Sequence, residues 1–522
     1  MKPEKENKMA KNPISSYDYF YNIYSEEDKK YLPHLETIPQ LLRYIKKTFG
    51  PEIAFVQDGK KISYNDLHRE VLRVVGGLKA IGLKKGDRIG AFFPNCYNAA
   101  VTLLGIMALG AVAVIFPAQL SEELVLGVSF KYSLSAVIAE DELGQKLELA
   151  KGKLPHIKFL TYKEFSVHKV SCRAITDFES TEEACIIFSS GTTGSPKGAI
   201  LTHLNLLVGT YLGTMGAANF TRQTYFTMLP LSHVFGLIRS FLTPLYGGCT
   251  IHFARSIQTI FKDMAAVQPT ILILVPALCE IALNVIKRYG FGIVGGKLKT
   301  IIAGAATVPP FFIPEYAQYG VKLFPGYGLT ESSNLVSGNP DIEGRPSSVG
   351  RIYPNVETKV VNDELWIKGP NVFKGYFNDP EENARSFEDG YFKTGDLVSF
   401  DEEGFLYITG REKDIIVLPN GENVSPNYIE KHFLEVDMIQ DCLVYQDADH
   451  RLILEIFPRA SVYMLTPEAS REKVLRQSVD AINKKLMNYE RIHKVIIREE
   501  DFARTPSMKI IRPKNVVNHE QK

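Results

Sequence analysis

From about residue 50 onward, short apolar runs alternate with stretches of helical period. The runs at 88–93, 111–116, 135–139, 184–189, 271–275 and 300–303 are apolar with little polar alternation. Such runs between helical segments predict mainly parallel sheets with helices on both faces. One apolar stretch, 99–118, is long enough to cross a bilayer. Gly105, Gly110 and Pro117 interrupt it. The interruptions predict a buried helix over 97–109, a glycine turn and a strand over 111–116, not a membrane span. There is no internal repeat or low-complexity tract.

After residue 345 the pattern changes. Short segments rich in Gly, Pro, Asn and Asp predict hairpins and a small β-rich subdomain over about 345–410. Helical patterns at 427–434 and 470–485 then predict a compact final unit. Charges cluster at Gly410-Arg411-Glu412-Lys413-Asp414, where a strand is expected to end. The boundary falls there, giving an N-terminal domain over 1–410, with 1–40 as a lead-in, and a C-terminal domain over 411–522. The fold class is α/β: a large N-terminal domain of several subdomains, the small β-rich subdomain, and a small α+β C-terminal domain.

Composition narrows the functions. With 45% hydrophobic and 23% charged residues in 522, the chain reads as an ordinary soluble globular protein. A net charge of +1 supplies no global field for nucleic acid or an anionic membrane, so any phosphate affinity must be local. Cys96, Cys172, Cys185, Cys249, Cys279 and Cys442 are scattered with no CxxC pair, which argues against a zinc site and a disulfide framework and points to the cytoplasm. The charged N-terminus is not followed by an apolar segment, so it does not read as a secretory signal.

Local phosphate chemistry is found in Ser189-Ser190-Gly191-Thr192-Thr193-Gly194-Ser195-Pro196-Lys197-Gly198. An apolar run that breaks into such a segment predicts a buried strand ending in a mobile loop. The loop offers backbone N–H groups, hydroxyls and one ammonium to a polyanion such as a triphosphate. It is not a P-loop, because only two residues separate Gly191 from Gly194 and Pro196 precedes Lys197.

This segment resembles the signature loop of the adenylate-forming superfamily, which includes acyl-CoA synthetases, peptide-synthetase adenylation domains and firefly luciferase. The resemblance covers roughly residues 40–515, with the motifs in the family's order. It implies that Ser189, Ser190, Gly191, Thr192, Thr193, Gly194 and Lys197 hold the phosphates of ATP. His233, in Leu229-Pro230-Leu231-Ser232-His233-Val234-Phe235-Gly236, resembles a histidine beside the carboxylate substrate. Gly326-Tyr327-Gly328-Leu329-Thr330-Glu331 implies adenine packing by Tyr327, an α-phosphate contact from Thr330 and Mg²⁺ on Glu331. Gly304, Ala305 and Ala306 would flank the other adenine face. Asp396, in Tyr391-Phe392-Lys393-Thr394-Gly395-Asp396-Leu397, resembles the aspartate that accepts both ribose hydroxyls, with Arg411 on the same ribose and phosphate. Lys413 matches a hinge, and Gly421, Glu422 and Asn423 a loop that lines the thiol channel. Lys509 matches the catalytic lysine, although Met508 stands where the family usually has glycine. If that position needs positive φ, methionine costs about 1 kcal/mol.

The implied activity is an ATP-dependent acid–thiol ligase with ATP, Mg²⁺ and coenzyme A as cofactors and a mobile C-terminal domain. A carrier-protein thiol as acceptor, an aryl acid as substrate, luciferase-like oxidation and an inactive nucleotide-binding scaffold are the alternatives. Segments 229–239 and 301–310 read as apolar walls without an ionic anchor, which favours an apolar acid. The stretch from Gly410 to Pro426 resembles fatty-acid members, so medium- or long-chain acids are expected.

Overall fold

The computed structural model describes residues 16–512 apart from 173, 190–196, 217, 218, 257, 419–421, 448 and 505–509. Two large sheets form the N-terminal domain. In the first, strands Val112–Phe116, Arg88–Phe92, Ala136–Ala139 and Lys158–Thr161 run parallel beside Glu183–Ser189. Antiparallel strands Lys197–Thr202 and Gly375–Tyr376 complete its other edge. The second has nine strands, with a parallel centre built from Lys322–Tyr327, Thr300–Ala303, Ile271–Leu274, Thr224–Thr227, Thr250–Phe253 and Ile53–Gln57.

The glycine-interrupted apolar stretch folds as its pattern predicts. Tyr97–Leu109 is a helix buried from Ala99 to Leu109, packed on the strands Arg88–Phe92 and Val112–Phe116 and on the helix Tyr64–Ala80. Gly110 ends it with φ +78, a left-handed conformation open to glycine at no steric cost. No helix among the described residues is long and apolar enough to cross a membrane.

Helix Ile38–Phe49 shows how sequence becomes packing. The Thr37 hydroxyl caps it by accepting from the Gln40 N–H at 3.3 Å, and Pro39 sits in its first turn, where no N–H is required. Ile38, Leu41, Leu42, Ile45 and Phe49 form one buried stripe. Each such side chain contributes about 1.5–3 kcal/mol of transfer free energy.

His203 begins the capped helix His203–Thr214 and has no exposed surface. Its Nδ1 accepts from the Ile38 N–H at 3.4 Å, while Nε2 has no partner among the described residues. Burial pushes the imidazole pKa from 6.5 down to about 3. Half-buried His68 is pushed down to about 4, by burial first and then by Lys46. The fold therefore keeps both rings neutral at pH values where the unfolded chain takes up protons. Stability should fall as pH drops below about 6.5, by up to about 1.4 kcal/mol per pH unit for each ring. Thermal melts from pH 7 to 5 check this, and His203→Gln should flatten the slope. An unchanged slope would contradict the assignment.

Within the β-rich region 345–410, Glu357–Val361, Glu364–Lys368, Tyr391–Phe400, Phe387–Glu388 and Leu406–Arg411 form a separate antiparallel sheet, while Arg351–Ile352 joins the second large sheet and Gly375–Tyr376 the first. The C-terminal part has its own core, including Leu418, Ile429, Phe433, Leu454 and Leu475. Its sheet joins Ile439–Gln446, Leu452–Pro458 and Lys494–Ile497, with helices Pro426–Phe433 and Glu468–Asn483. A largely buried ion pair ties it to the large domain. The Arg459 Nε lies 2.8 Å from Glu280 Oε1 on helix Pro276–Tyr289.

Candidate active site

The most closely built cluster centres on Asp396. Strand Leu406–Arg411 pairs antiparallel with Tyr391–Phe400, and the register sets Arg411 opposite Asp396. The Arg411 Nε lies 2.6 Å from Asp396 Oδ1, and Tyr327 Oη donates to Asp396 Oδ2 at 2.6 Å. Gly395, with φ +68, turns the strand just before the carboxylate and donates its N–H to Glu364 Oε1 at 2.7 Å. The Asp396 N–H donates to Thr394 Oγ1 at 3.1 Å, and that hydroxyl donates to the Leu365 carbonyl at 2.6 Å. The carboxylate is only 2% exposed and held on every side. Burial opposes the charge of Arg411, yet Asp396 offsets this and holds its pKa above the ordinary value. Tyr327 is pushed far up, by burial and then by Asp396, so it stays a neutral donor.

A second carboxylate lies on the same segment as Tyr327. Glu331 sits in the tight turn Thr330–Ser332 and is 9% exposed. Tyr376 Oη donates to its Oε1 at 2.8 Å, and the Phe373 N–H donates to its carbonyl at 2.8 Å. Lys197 reaches the same place, with Nζ 5.3 Å from the Tyr376 ring centroid and 2.6 Å from Glu382 Oε1. Lys197 is the first residue of a strand pairing antiparallel with Glu183–Ser189, so the glycine-rich segment 190–196 connects the two strands. The sequence pattern showed the first strand and missed the second. The Lys413 side chain is exposed. Partial desolvation by the atoms packed around it lowers its pKa, Arg411 adds to this, and Asp414, Asp396 and Glu331 oppose the shift.

The third wall comes from the parallel sheet. Strand Thr300–Ala303 ends at Gly304, and Ala305 adopts φ +67, a strained value for a residue with a Cβ. A Cβ built on Gly304 would lie 3.4 Å from the Gly326 carbonyl and 3.5 Å from the Phe235 ring. One on Gly328 would lie 1.8 Å from the Asn334 carbonyl, so only glycine fits. His233 caps the short helix Val234–Leu237, its Nδ1 accepting from the Phe235 N–H at 3.3 Å. Asn95 pins that loop to the first sheet, donating to the Leu229 carbonyl at 2.8 Å and accepting from the Leu231 N–H at 3.0 Å.

The structure thus brings Tyr327, Asp396 and Arg411 together, sets Lys197 against the tyrosine that holds Glu331, and lays the His233 turn against Gly304 through Phe235. Ala306 follows Ala305 in the same turn, and Thr330 heads the Glu331 turn. Asn423 belongs to a strand pairing with Ile416–Val417, and exposed Glu422 precedes it. Ser190, Gly191, Thr192, Thr193, Gly194, Gly421 and Lys509 lie outside the described residues, as does the side chain of Ser189. Sequence reasoning missed Tyr376, Glu382 and Asn95, whose partners are distant in the chain. Arg239, in the 229–239 segment read as an apolar wall, lines the cavity beside Gly304.

The model of the AMP-binding enzyme family matches residues 44–377, and that of the AMP-binding enzyme C-terminal domain matches 413–522. The chain belongs to the AMP-binding enzyme family. Among its relatives, a probable CoA ligase, CCL5, of Humulus lupulus is 27% identical over 535 residues, covering 94% of each chain. A long-chain-fatty-acid–CoA ligase of Yersinia pestis is 28% identical over 440 residues, covering 73% of this chain and 78% of that one. Among solved structures, the anthranilate CoA ligase AuaEII in complex with anthranoyl-AMP superposes with TM-score 0.81 at 19% identity, covering 92% and 96% of the two chains. This AMP-binding enzyme is an AMP-forming CoA ligase, a class that works with ATP, Mg²⁺, coenzyme A and a small carboxylic acid. Its residues suit those groups. Glu331 is a buried carboxylate on the turn Thr330–Ser332, a hard oxygen donor of the kind Mg²⁺ takes alongside phosphates and water.

Proposed function

We propose that this AMP-binding enzyme joins a carboxylic acid with an apolar stem to coenzyme A by way of an acyl-adenylate. The observation that carries the reading is the Asp396–Arg411–Tyr327 cluster within one segment of Glu331. A fixed carboxylate is suited to accept both hydroxyls of a ribose, and the nearby cations suit its phosphates. The Gly304–Ala306 turn and the Tyr327 segment take the two faces of adenine.

A carboxylate is a poor electrophile because its leaving group would be oxide. In the first step one carboxylate oxygen of the acid attacks the α-phosphorus of ATP and pyrophosphate leaves. In the second, a thiol sulfur attacks the acyl carbon, loses its proton, and AMP leaves with the bonding electron pair. Protein groups then act by positioning and charge neutralisation. Lys197 and the 189–194 hydroxyls and N–H groups hold the departing phosphates, and Thr330 holds the α-phosphate. Mg²⁺, when bound at Glu331, neutralises phosphate charge. His233 borders the acid's carboxylate. Lys509 bridges carboxylate and α-phosphate in the first step only. The C-terminal domain turns about Lys413 to withdraw it and to bring in the 421–423 loop. The separate C-terminal core supports that rotation, because the domain's apolar side chains pack among themselves.

The stem is taken to be a medium or long alkyl chain, which the resemblance of the Gly410–Pro426 stretch to fatty-acid members supports. All six cysteines are free thiols, which supports a cytoplasmic setting. The test is thioester formation from ATP and a chain-length series of acids, with coenzyme A against a phosphopantetheine-loaded acyl carrier protein. Thioester with coenzyme A and a maximum at medium or long chain length is expected. Turnover with the carrier alone would overturn the acceptor, and a maximum at short chains would overturn the length.

A further inference from the structure

One cation in this pocket has no part in the reading above. Arg239 lies on the irregular turn Ile238–Leu242, a π-type segment of the sort often found at functional sites. It is 2% exposed and heads the largest fully buried side chains. Its Nη1 donates to the Gly213 carbonyl in the last turn of helix His203–Thr214, and it makes no other hydrogen bond among the described residues. Nε is buried without a partner, and no described carboxylate lies within 4.0 Å of the guanidinium. Only phenols act on it, from Tyr353, Tyr225 and Tyr24. Burial pushes its pKa below the ordinary arginine value, yet a guanidinium remains charged at any physiological pH.

A buried charge without a counter-ion is costly, so a fold that keeps one has made room for a partner. Two glycines admit the guanidinium: a Cβ on Gly213 would lie 2.9 Å from Nη1 and one on Gly216 3.0 Å from Nη2. Gly216, Tyr353 and Arg239 line the same cavity as Phe235, Gly304 and Gly326. That cavity runs from the guanidinium to the turn that flanks the adenylating site. At about 30 Å³ it has room at the guanidinium for a group the size of one or two waters, such as a carboxylate. The Nε and Nη2 atoms form the side edge of the guanidinium fork, and neither donates to a described residue. That edge matches the two oxygens of a carboxylate.

We infer that Arg239 receives a second carboxylate at the far end of the acid, so that the preferred substrates are dicarboxylic acids with an apolar stem. The inference rests on the ligase reading and gives it a substrate class. It makes Arg239 a specificity-determining residue.

The test measures acid-dependent exchange of labelled pyrophosphate into ATP for pairs of monocarboxylic and dicarboxylic acids of matched length. Wild-type enzyme should show kcat/KM at least tenfold higher for the dicarboxylic member of the best pair. Arg239→Met should lose that preference while retaining exchange with the monocarboxylic member, and Arg239→Lys should keep part of it. Equal wild-type rates for both members would overturn the inference. So would an equal loss on both acids in Arg239→Met, because Arg239 would then serve only to cap the helix ending at Thr214. Exchange with neither kind of acid would sink the ligase reading itself, an outcome distinct from exchange with monocarboxylic acids alone.

Discussion

Asp396→Ala should lower kcat/KM for ATP by about 10²–10⁴-fold while leaving the fold in place. Two sources add to this loss. The ribose loses an acceptor for two charge-assisted hydrogen bonds, each contributing about 1.5–3 kcal/mol. The site also loses the group that fixes Arg411 and Tyr327, at 2.6 Å from each, so both side chains are released from one arrangement. Asp396→Asn separates the effects. The amide keeps an acceptor for Tyr327 and loses the charge that holds Arg411, so its loss should be smaller. Varying ATP at saturating acid checks the prediction, with a thermal melt to show that the variant is folded. A defect seen only in KM for the acid would show that Asp396 does not serve the nucleotide.

Lys509→Ala should separate the two half-reactions. The ammonium is needed where negative charge from the attacking carboxylate meets the α-phosphate, and removing one such preorganised group costs about 10²–10³-fold. Thioester formation from supplied acyl-AMP makes no such demand, because the acyl–phosphate bond already exists. Single-turnover assays of each half-reaction check this. Acyl-AMP formation should collapse and thioester formation should persist. An equal loss in both would remove Lys509 from its assigned role. Met508→Gly, which relieves any cost of a Cβ at positive φ, should leave the second step unchanged.

Much of this was legible in the sequence, and the exceptions have physical causes. The helix Tyr97–Leu109 and its glycine stop followed from an apolar run that no charge interrupts. The parallel strands followed from short runs buried on both faces, with bounds that moved by a residue or so because strand ends depend on their neighbours. Asp396, Arg411, Tyr327 and Glu331 were named from local motifs, and the antiparallel register then explained why the first two meet. Strand Lys197–Thr202 was not foreseen, because its hydrogen bonds go to chain segments on both sides of it and not to a βαβ partner. Tyr376 and Glu382 were invisible for a related reason: their partners Glu331 and Lys197 lie far away in the chain. Arg239 was overlooked because an apolar neighbourhood hides a single charge, and only packing shows whether that charge turns to solvent or inward.

The central claim is that this AMP-binding enzyme activates a carboxylate on ATP before any thiol takes part. Exchange of labelled pyrophosphate into ATP, measured without coenzyme A across a panel of carboxylic acids, tests it most directly. The account predicts exchange that requires an acid, needs Mg²⁺ and disappears in Lys509→Ala. Acid-independent ATP cleavage, or no exchange with any acid, would contradict it.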